Sequence, residues 1–454
     1  MAIPDMTATA DYVAERSPAS TAAEPEPQQL REASWSPATR IAFRFCFVYF
    51  GLYVLMTQML GGLLPNPWFG VPTLGQKPPM RPLVLWVGNN LLGVQPTVHP
   101  TGSGDTLFDW TYAFTGLLLA TLATVVWSIA ARRASYPRLH KWFRLFLRVA
   151  LGTTMLSYGF AKVFPLQMPT VFLSRLLEPF GDFSPMGVIW YSIGAAPGYE
   201  RFIGSAEVLG GVLLLLPWTT LAGALVTLGV AFGVFMVNMT YDVPVKLFAF
   251  HLVLMSMVLI APDARRLIDW FVLNRPVVPA AAPRYAASAR SHRGWIIAQL
   301  VFLVWALGLE VDGAMEGWRT YGPGAPRSPL YGIWNVDSMS INGEVRPPLT
   351  TDSLRYRYAV FQSQSGMTFQ KMDLSFERFG ATIDTVKRTL TLRKQSDSTW
   401  KPVLAYGRPT PTRLTVEGDI DGKRVRMAMT QRDLNTFFLI SRGFNWVQEF
   451  PVNR

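Results

Sequence analysis

Ionisable side chains inside apolar segments are the first candidates for chemistry in this sequence. A charge near the membrane midplane costs about 2.5–3.5 kcal/mol even on lenient scales, so it persists only with a partner or a task. Lys162 follows Tyr158 by four residues, which puts both on one helix face. Glu207 lies in Ser205-Ala206-Glu207-Val208-Leu209-Gly210-Gly211, where the small residues let another helix approach closely. Asn238, Tyr241, Asp242, Lys246 and His251 follow on the far side of the next apolar run. By depth, Lys162 and Glu207 are expected to meet, and Asp242 and Lys246 to pair across the bend at Pro244. Two uses fit these pairs. They lock helices together, or they shape a polar pocket lined by Trp190, Tyr158 and Tyr241 and suited to a quinone or a lipid headgroup. His251 is either hydrogen-bonded core or a proton carrier near Lys246 and Asp242. No residue is assigned a catalytic role.

These residues need long helices to hold them, and the composition supplies them. Of 454 residues, 50% are hydrophobic and only 16% are charged, against about 25% in an average soluble chain. That balance favours an integral membrane protein. The net charge of +12 sits beside apolar spans, so membrane topology explains it better than nucleic acid. One cysteine, Cys46, excludes intramolecular disulfides and dithiol relays and reads as apolar filler; four scattered histidines offer no metal or haem site.

Residues 1–36, rich in Ala, Pro, Ser and Glu, read as a disordered cytoplasmic tail. Seven apolar runs follow, at about 41–64, 111–130, 145–164, 202–217, 219–238, 247–261 and 294–311. Pro217-Trp218-Thr219-Thr220 implies a tight hairpin between the fourth and fifth. Arginine and lysine concentrate in 131–148 and 262–293, on the same side as the N-terminus. The positive-inside rule therefore places the N-terminus in the cytoplasm and everything after residue 312 outside. Glu310 and Asp312 fall where the last span should leave the membrane. The apolar interludes at 83–92 and 186–193 are too short to cross and are expected to help roof the bundle. The expected divisions are 1–36, two spans with a long outer loop in 37–144, a four-helix unit in 145–275, linker and last span in 276–325, and a β domain in 326–454.

In that last part, runs at 332–341, 355–361, 367–374, 389–393, 414–417 and 425–429 alternate apolar with polar residues, the period of strands with one buried face. Asn342-Gly343 and Asp421-Gly422 are tight-turn signals. Roughly eight antiparallel strands in a barrel or sandwich are expected. The aromatic run 442–450 is expected to form a closing strand.

Tyr158-Gly159-Phe160-Ala161-Lys162, together with Ser205–Gly211 and the segment 238–251, resembles the DoxX-like membrane proteins over about 145–275. In that family a Gly-x-x-Lys element on one helix precedes a Glu followed by glycines on the next, which suggests correspondence for Gly159, Lys162, Glu207 and Gly211; Gly210 is a further close-approach position. The resemblance implies a four-helix membrane unit. Because the family includes a subunit associated with thiosulfate:quinone oxidoreductase, it also implies a place in a membrane redox complex, with quinone as cofactor and a partner subunit or a soluble donor supplying electrons. Gly332-Ile333-Trp334, with Arg442 expected over the Trp334 indole, is similar to a lipocalin pattern. The expected fold is thus a helical membrane bundle in a bacterial inner membrane, carrying an extracytoplasmic β barrel or sandwich. Three functions stay open: an oxidoreductase-associated quinone-binding component, a lipid-like ligand transfer protein using the barrel, or a non-catalytic anchor or assembly factor.

Overall fold

A computed structural model of the chain describes residues 35–68, 70–131, 133–280, 284–397 and 399–453. The expected tail therefore lies, up to residue 34, outside the described residues. Long helices make up the N-terminal part: α1 (Pro37–Met56), α2 (Leu107–Ala130), α3 (Pro137–Val163), α4 (Pro197–Leu215), α5 (Thr220–Thr240), α6 (Lys246–Ile260) and α7 (Ala289–Thr320). Their starts carry local signals. Ser36 caps α1 by accepting from the Thr39 N–H, and Thr106 and Asp109 cap α2 reciprocally. Prolines stand in the first turn of α1, α3 and α4, where a missing N–H costs nothing. The expected α4–α5 hairpin is present, and the interludes form short helices at Met80–Val87 and Pro185–Gly194.

Five segments are long and apolar enough to cross a membrane: Pro37–Met56, Leu107–Ala130, Thr220–Thr240, Lys246–Phe271 and Ala289–Thr320. This is a membrane protein by that measure. The helices α3 and α4 fall short of it because they carry Arg148 and Lys162, and Glu200, Arg201 and Glu207. Their surroundings explain how they tolerate these charges. The α3 helix buries Leu147, Ala150, Leu151, Met155 and Leu156 completely or nearly so, and it packs on α1, α4, α6 and α7. It is the central helix, with protein rather than lipid around its polar groups.

Packing at the centre is close because of glycine. A Cβ on Gly159 would stand 2.9 Å from the Gly204 carbonyl oxygen, and one on Gly211 would stand 2.8 Å from that of Gly152. These two contacts, seven residues apart on each helix, bring the α3 and α4 backbones together. Gly210 faces α5 instead, where a Cβ would meet Thr227 Oγ1 at 2.7 Å.

Residues 327–432 form a closed antiparallel barrel. Its strands are β1 (Arg327–Ile341), β2 (Glu344–Val345), β3 (Tyr356–Ser363), β4 (Gly366–Lys371), β5 (Phe376–Asp384), β6 (Thr389–Arg393), β7 (Val403–Thr410), β8 (Arg413–Ile420) and β9 (Lys423–Arg432). Each long strand pairs with the next, and β9 returns to β1 from Ile333↔Arg432 to Ile341↔Val425; β2 merely extends the β1 end. Closure settles barrel over sandwich and leaves no long free edge. Both tight turns have positive φ at Asn342 and Gly343, and at Asp421 and Gly422, as a type I′ turn requires. The interior is filled by Trp334, Phe361, Phe369 and their neighbours.

Two expectations fail here. The closing strand is β9, while 438–453 forms a short helix, Phe438–Ser441, and exposed irregular chain. The cation over Trp334 is Arg408 of β7, 5.8 Å from the ring, not Arg442, which hydrogen-bonds Gln448 at 3.3 Å. Trp334 itself is completely buried and donates to the Leu330 carbonyl at 2.9 Å.

The barrel rests on the loop between α3 and α4. Leu173, Leu176 and Leu177 pack against Ile333, Val360 and Phe437, and the Leu173 N–H donates to Gln362 Oε1 at 2.8 Å.

Candidate functional site

The site grows from the glycine crossing of α3 and α4. There Lys162 Nζ lies 2.7 Å from Glu207 Oε2 and 2.9 Å from Oε1, and both side chains are almost wholly buried. The expected pair forms. Its third contact is internal to α3, since the ammonium lies 3.5 Å from the Tyr158 carbonyl oxygen and 5.6 Å from the Tyr158 ring. Lys162 and Tyr158 thus stand one turn apart on the same side of α3.

Beyond Tyr158 is a cavity of about 500 Å³, walled by α3, α7 and the segment that follows α1. Its polar groups are Gln58, Asn66, Thr153, Thr154, Ser157, Tyr158 and Glu310, and Leu64, Leu156, Ala306 and Leu309 supply apolar wall. Gln58 Nε2 donates to the Tyr158 hydroxyl at 2.9 Å. Because that hydroxyl oxygen already accepts, its own proton is free to be donated. Thr153 and Thr154 spend their hydroxyl protons on backbone carbonyls one turn back, at 2.9 and 2.8 Å. Ser157 and Glu310 line the same cavity from α3 and α7. A mostly apolar volume with a few convergent polar groups suits a small amphipathic ligand.

Lys162 and Glu207 do not line this cavity; they close on each other behind it. Of the expected pocket residues, Tyr158 alone is in the wall. Trp190 borders a separate hollow with Arg175 and Tyr191, and Tyr241 caps the end of α5 away from the cavity. The missed residue is Glu310. Its apolar run was expected to end at 311, whereas α7 continues to Thr320, so Glu310 lies inside a helix and faces α3.

The Asp242–Lys246 pair also forms, at 2.7 Å, but in a second place. There Asp105, in the loop before α2, accepts from the backbone N–H groups of Lys246 and Leu247 at 2.8 and 2.9 Å and lies 3.7 Å from Lys246 Nζ. A carboxylate at the first N–H groups of α6 satisfies donors the helix cannot, and favours its dipole. Asn238 donates to the Val245 carbonyl at 3.3 Å and ties the same turn.

His251 takes no part in this cluster and is hydrogen-bonded core, the first of its two expected readings, not a proton carrier beside Lys246 and Asp242. Its Nδ1 lies 2.7 Å from the Leu247 carbonyl and its Nε2 2.7 Å from the Tyr49 hydroxyl. The ring stacks on Tyr53 at 3.8 Å between centroids. Both nitrogens are used, and the group joins α6 to α1. Arg44 and Arg148 were also missed. Arg44 bonds Ser128, the Ala131 carbonyl and Tyr136, while Arg148 bonds Thr220 and Gln299. Cys46 is a half-buried free thiol packed on the core. Among the described residues no cluster of His, Cys, Asp and Glu is composed to hold a metal.

No family model matches the chain, and no solved structure matches it. It is similar to a protein of Bacillus subtilis (strain 168), described as the uncharacterized protein YwoB, with 28% identity over 149 residues. The aligned part is 31% of this chain and 86% of that protein.

Proposed function

We propose that the chain is a DoxX-like, seven-span protein of a bacterial inner membrane, and that its bundle binds a quinone in the cavity beside Tyr158. In this reading α3 and α4 also cross, shielded by their neighbours. The N-terminus is cytoplasmic, because Arg138, Lys141, Arg144, Arg265 and Arg266 all gather at the end of the bundle opposite the barrel. The barrel is extracytoplasmic, and the cavity lies in the outer half of the membrane.

The observation that carries the proposal is the Gln58–Tyr158 hydrogen bond at the cavity wall, which leaves the Tyr158 hydroxyl proton free for a ligand acceptor. A quinone headgroup has two carbonyl acceptors and an apolar ring and tail, and it meets Tyr158, Ser157 and an apolar wall here. The Lys162–Glu207 pair acts indirectly, by fixing Tyr158. With no flavin, haem or iron–sulfur signature in the sequence, electrons come from a partner subunit, and this chain supplies binding and orientation. The barrel keeps only a smaller hollow of about 310 Å³ beside Tyr356, Phe379 and Trp400, and the larger cavity beside Tyr158 is the reason for placing the ligand in the bundle.

The test is a titration of the reconstituted protein with a short-chain quinone, followed by quenching of intrinsic fluorescence, for the parent and for Tyr158→Phe. Saturable binding that weakens about tenfold in the variant, worth roughly 1.4 kcal/mol for one hydrogen bond, supports the site. Equal binding by both proteins removes Tyr158 from it.

A further inference from the structure

The C-terminal segment 438–453 leaves the barrel where the barrel joins the bundle. Two independent contacts fix this. Arg432, the last residue of β9, pairs with Ile333 midway along β1, and only six residues separate β1 from the end of α7 at Thr320. Six extended residues reach at most about 22 Å. Phe437 then packs against the cluster in which Leu173, from the loop that connects α3 to α4, meets Ile333 and Val360, with the Arg432 guanidinium 4.3 Å from its ring.

Past this point the segment folds on itself. Asn445 Nδ2 donates to the carbonyls of Arg442 and Gly443, and Arg442 donates to Gln448. Gly443 has a φ of +60°, the left-handed conformation that turns the chain. The resulting loop presents its apolar side chains outward. Phe444 is 78% exposed, Trp446 92% and Phe450 82%, and the Phe444 and Trp446 rings pack edge to face at 5.0 Å.

Scattered exposed apolar residues need no explanation, but a cluster of this size on an ordered loop does. Tryptophan and phenylalanine beside a membrane surface are the side chains of the interfacial belt. The bundle carries exposed aromatics of the same kind: Tyr199 and Phe202, in the first turns of α4 at the end of the loop the barrel rests on, stack on each other. Within 438–453 one arginine, Arg442, is balanced by one glutamate, Glu449, so attraction to lipid there is apolar rather than electrostatic.

We infer that residues 438–453 are an interfacial anchor whose Phe444, Trp446 and Phe450 insert into the headgroup region of the same leaflet over which the barrel sits. The anchor ties the barrel to the membrane at a second point besides α7. This inference rests on the helices crossing a bilayer and not on the ligand of the bundle cavity, so the two fail separately.

The full chain, with Cys46→Ser removing its one thiol, is given single cysteines by Phe444→Cys, Trp446→Cys or Val345→Cys and labelled with the fluorophore NBD. Val345 is exposed at the barrel end opposite the one that β1 enters. Each protein is reconstituted in phosphatidylcholine vesicles with and without doxyl-labelled lipid, after retention of parent-like circular dichroism has been checked. Loss of most NBD emission at 444 and 446 on adding doxyl lipid, with none at 345, is expected, and it should persist at high salt. Emission at 446 that matches 345 in wavelength and lack of quenching places the segment in water and overturns the anchor. Blue-shifted emission at 446 that doxyl lipid leaves unchanged also overturns it, because protein, a partner or a second copy, then covers the loop.

Discussion

Lys162 and Glu207 meet, 2.7 Å apart, beside the Gly159–Gly204 contact, one of the two levels at which facing glycines bring α3 and α4 together. The close crossing removes water from the pair, and the pair in turn closes the crossing. Tyr158 depends on both, because its ring and carbonyl are the remaining neighbours of the Lys162 ammonium. The charged pair is thus built into the crossing of α3 and α4, behind the cavity that Tyr158 lines.

Removing one member strands the other. Glu207→Gln leaves the Lys162 ammonium buried without a counter-charge, and the expected loss of stability is roughly 3–5 kcal/mol. The double variant Lys162→Met/Glu207→Leu should recover most of it. Thermal unfolding in one detergent compares the three, and a double variant as unstable as the single one contradicts the assignment.

The glycine crossing makes a sharper steric prediction. A Cβ at Gly204 stands 2.7 Å from the Gly159 carbonyl oxygen and the same distance from Lys162 Cβ, so Gly204→Ala should cost about 1–3 kcal/mol. At Gly229 and Gly233, on α5, a Cβ meets nothing within 4 Å. Alanine there should be neutral, or stabilise by up to about 1 kcal/mol. Melting temperatures of the three variants measure the contrast.

Asp105 joins the long loop before α2 to the start of α6 through two backbone N–H groups. Asp105→Ala should cost about 0.5–2 kcal/mol, the range for a lost helix cap. Hydrogen exchange should rise first at Lys246 and Leu247 and in the loop about 101–106. Unchanged protection at both would contradict the tie.

In the barrel, several carboxyls are held below their ordinary range: Asp373 by the Ser375 hydroxyl and N–H, Asp384 by the Lys387 and Val386 N–H groups, Asp397 by Thr399, and Glu417 by Arg424. Folded values depressed below unfolded ones contribute stability that is complete above the unfolded value of about 4 and is lost as pH falls through the folded values. The barrel transition should therefore be flat above about pH 5 and fall only in stronger acid. Calorimetry across pH 3–8 checks this, and a melting point that falls between pH 7 and 5 would point to other groups.

Much of this was legible in the sequence. Lys162 and Glu207 announced themselves as charges in apolar runs, and the turns at Asn342-Gly343 and Asp421-Gly422 through their residue types. The strands β5 and β7 did not, because Gly380 breaks the alternation of one and Gly407 and Pro409 that of the other. Glu310 was misplaced because hydropathy ends before the helix does: nothing between 312 and 320 stops a helix, and the next proline is Pro323. The Tyr49–His251 contact spans 202 residues, and no local period reports a contact of that range. The run 442–450 was taken for a strand on its aromatics, yet it lacks period-two alternation and carries a turn glycine.

The account turns on whether the cavity between α3 and α7 holds a quinone. The most direct measurement is mass spectrometry of small molecules that co-purify with the protein in native-lipid discs, for the parent and for Tyr158→Phe and Glu310→Gln variants that melt at the parent temperature. The account predicts near-stoichiometric quinone in the parent and its depletion in both variants. The same quinone content in all three, at the level of the surrounding lipid, would contradict it.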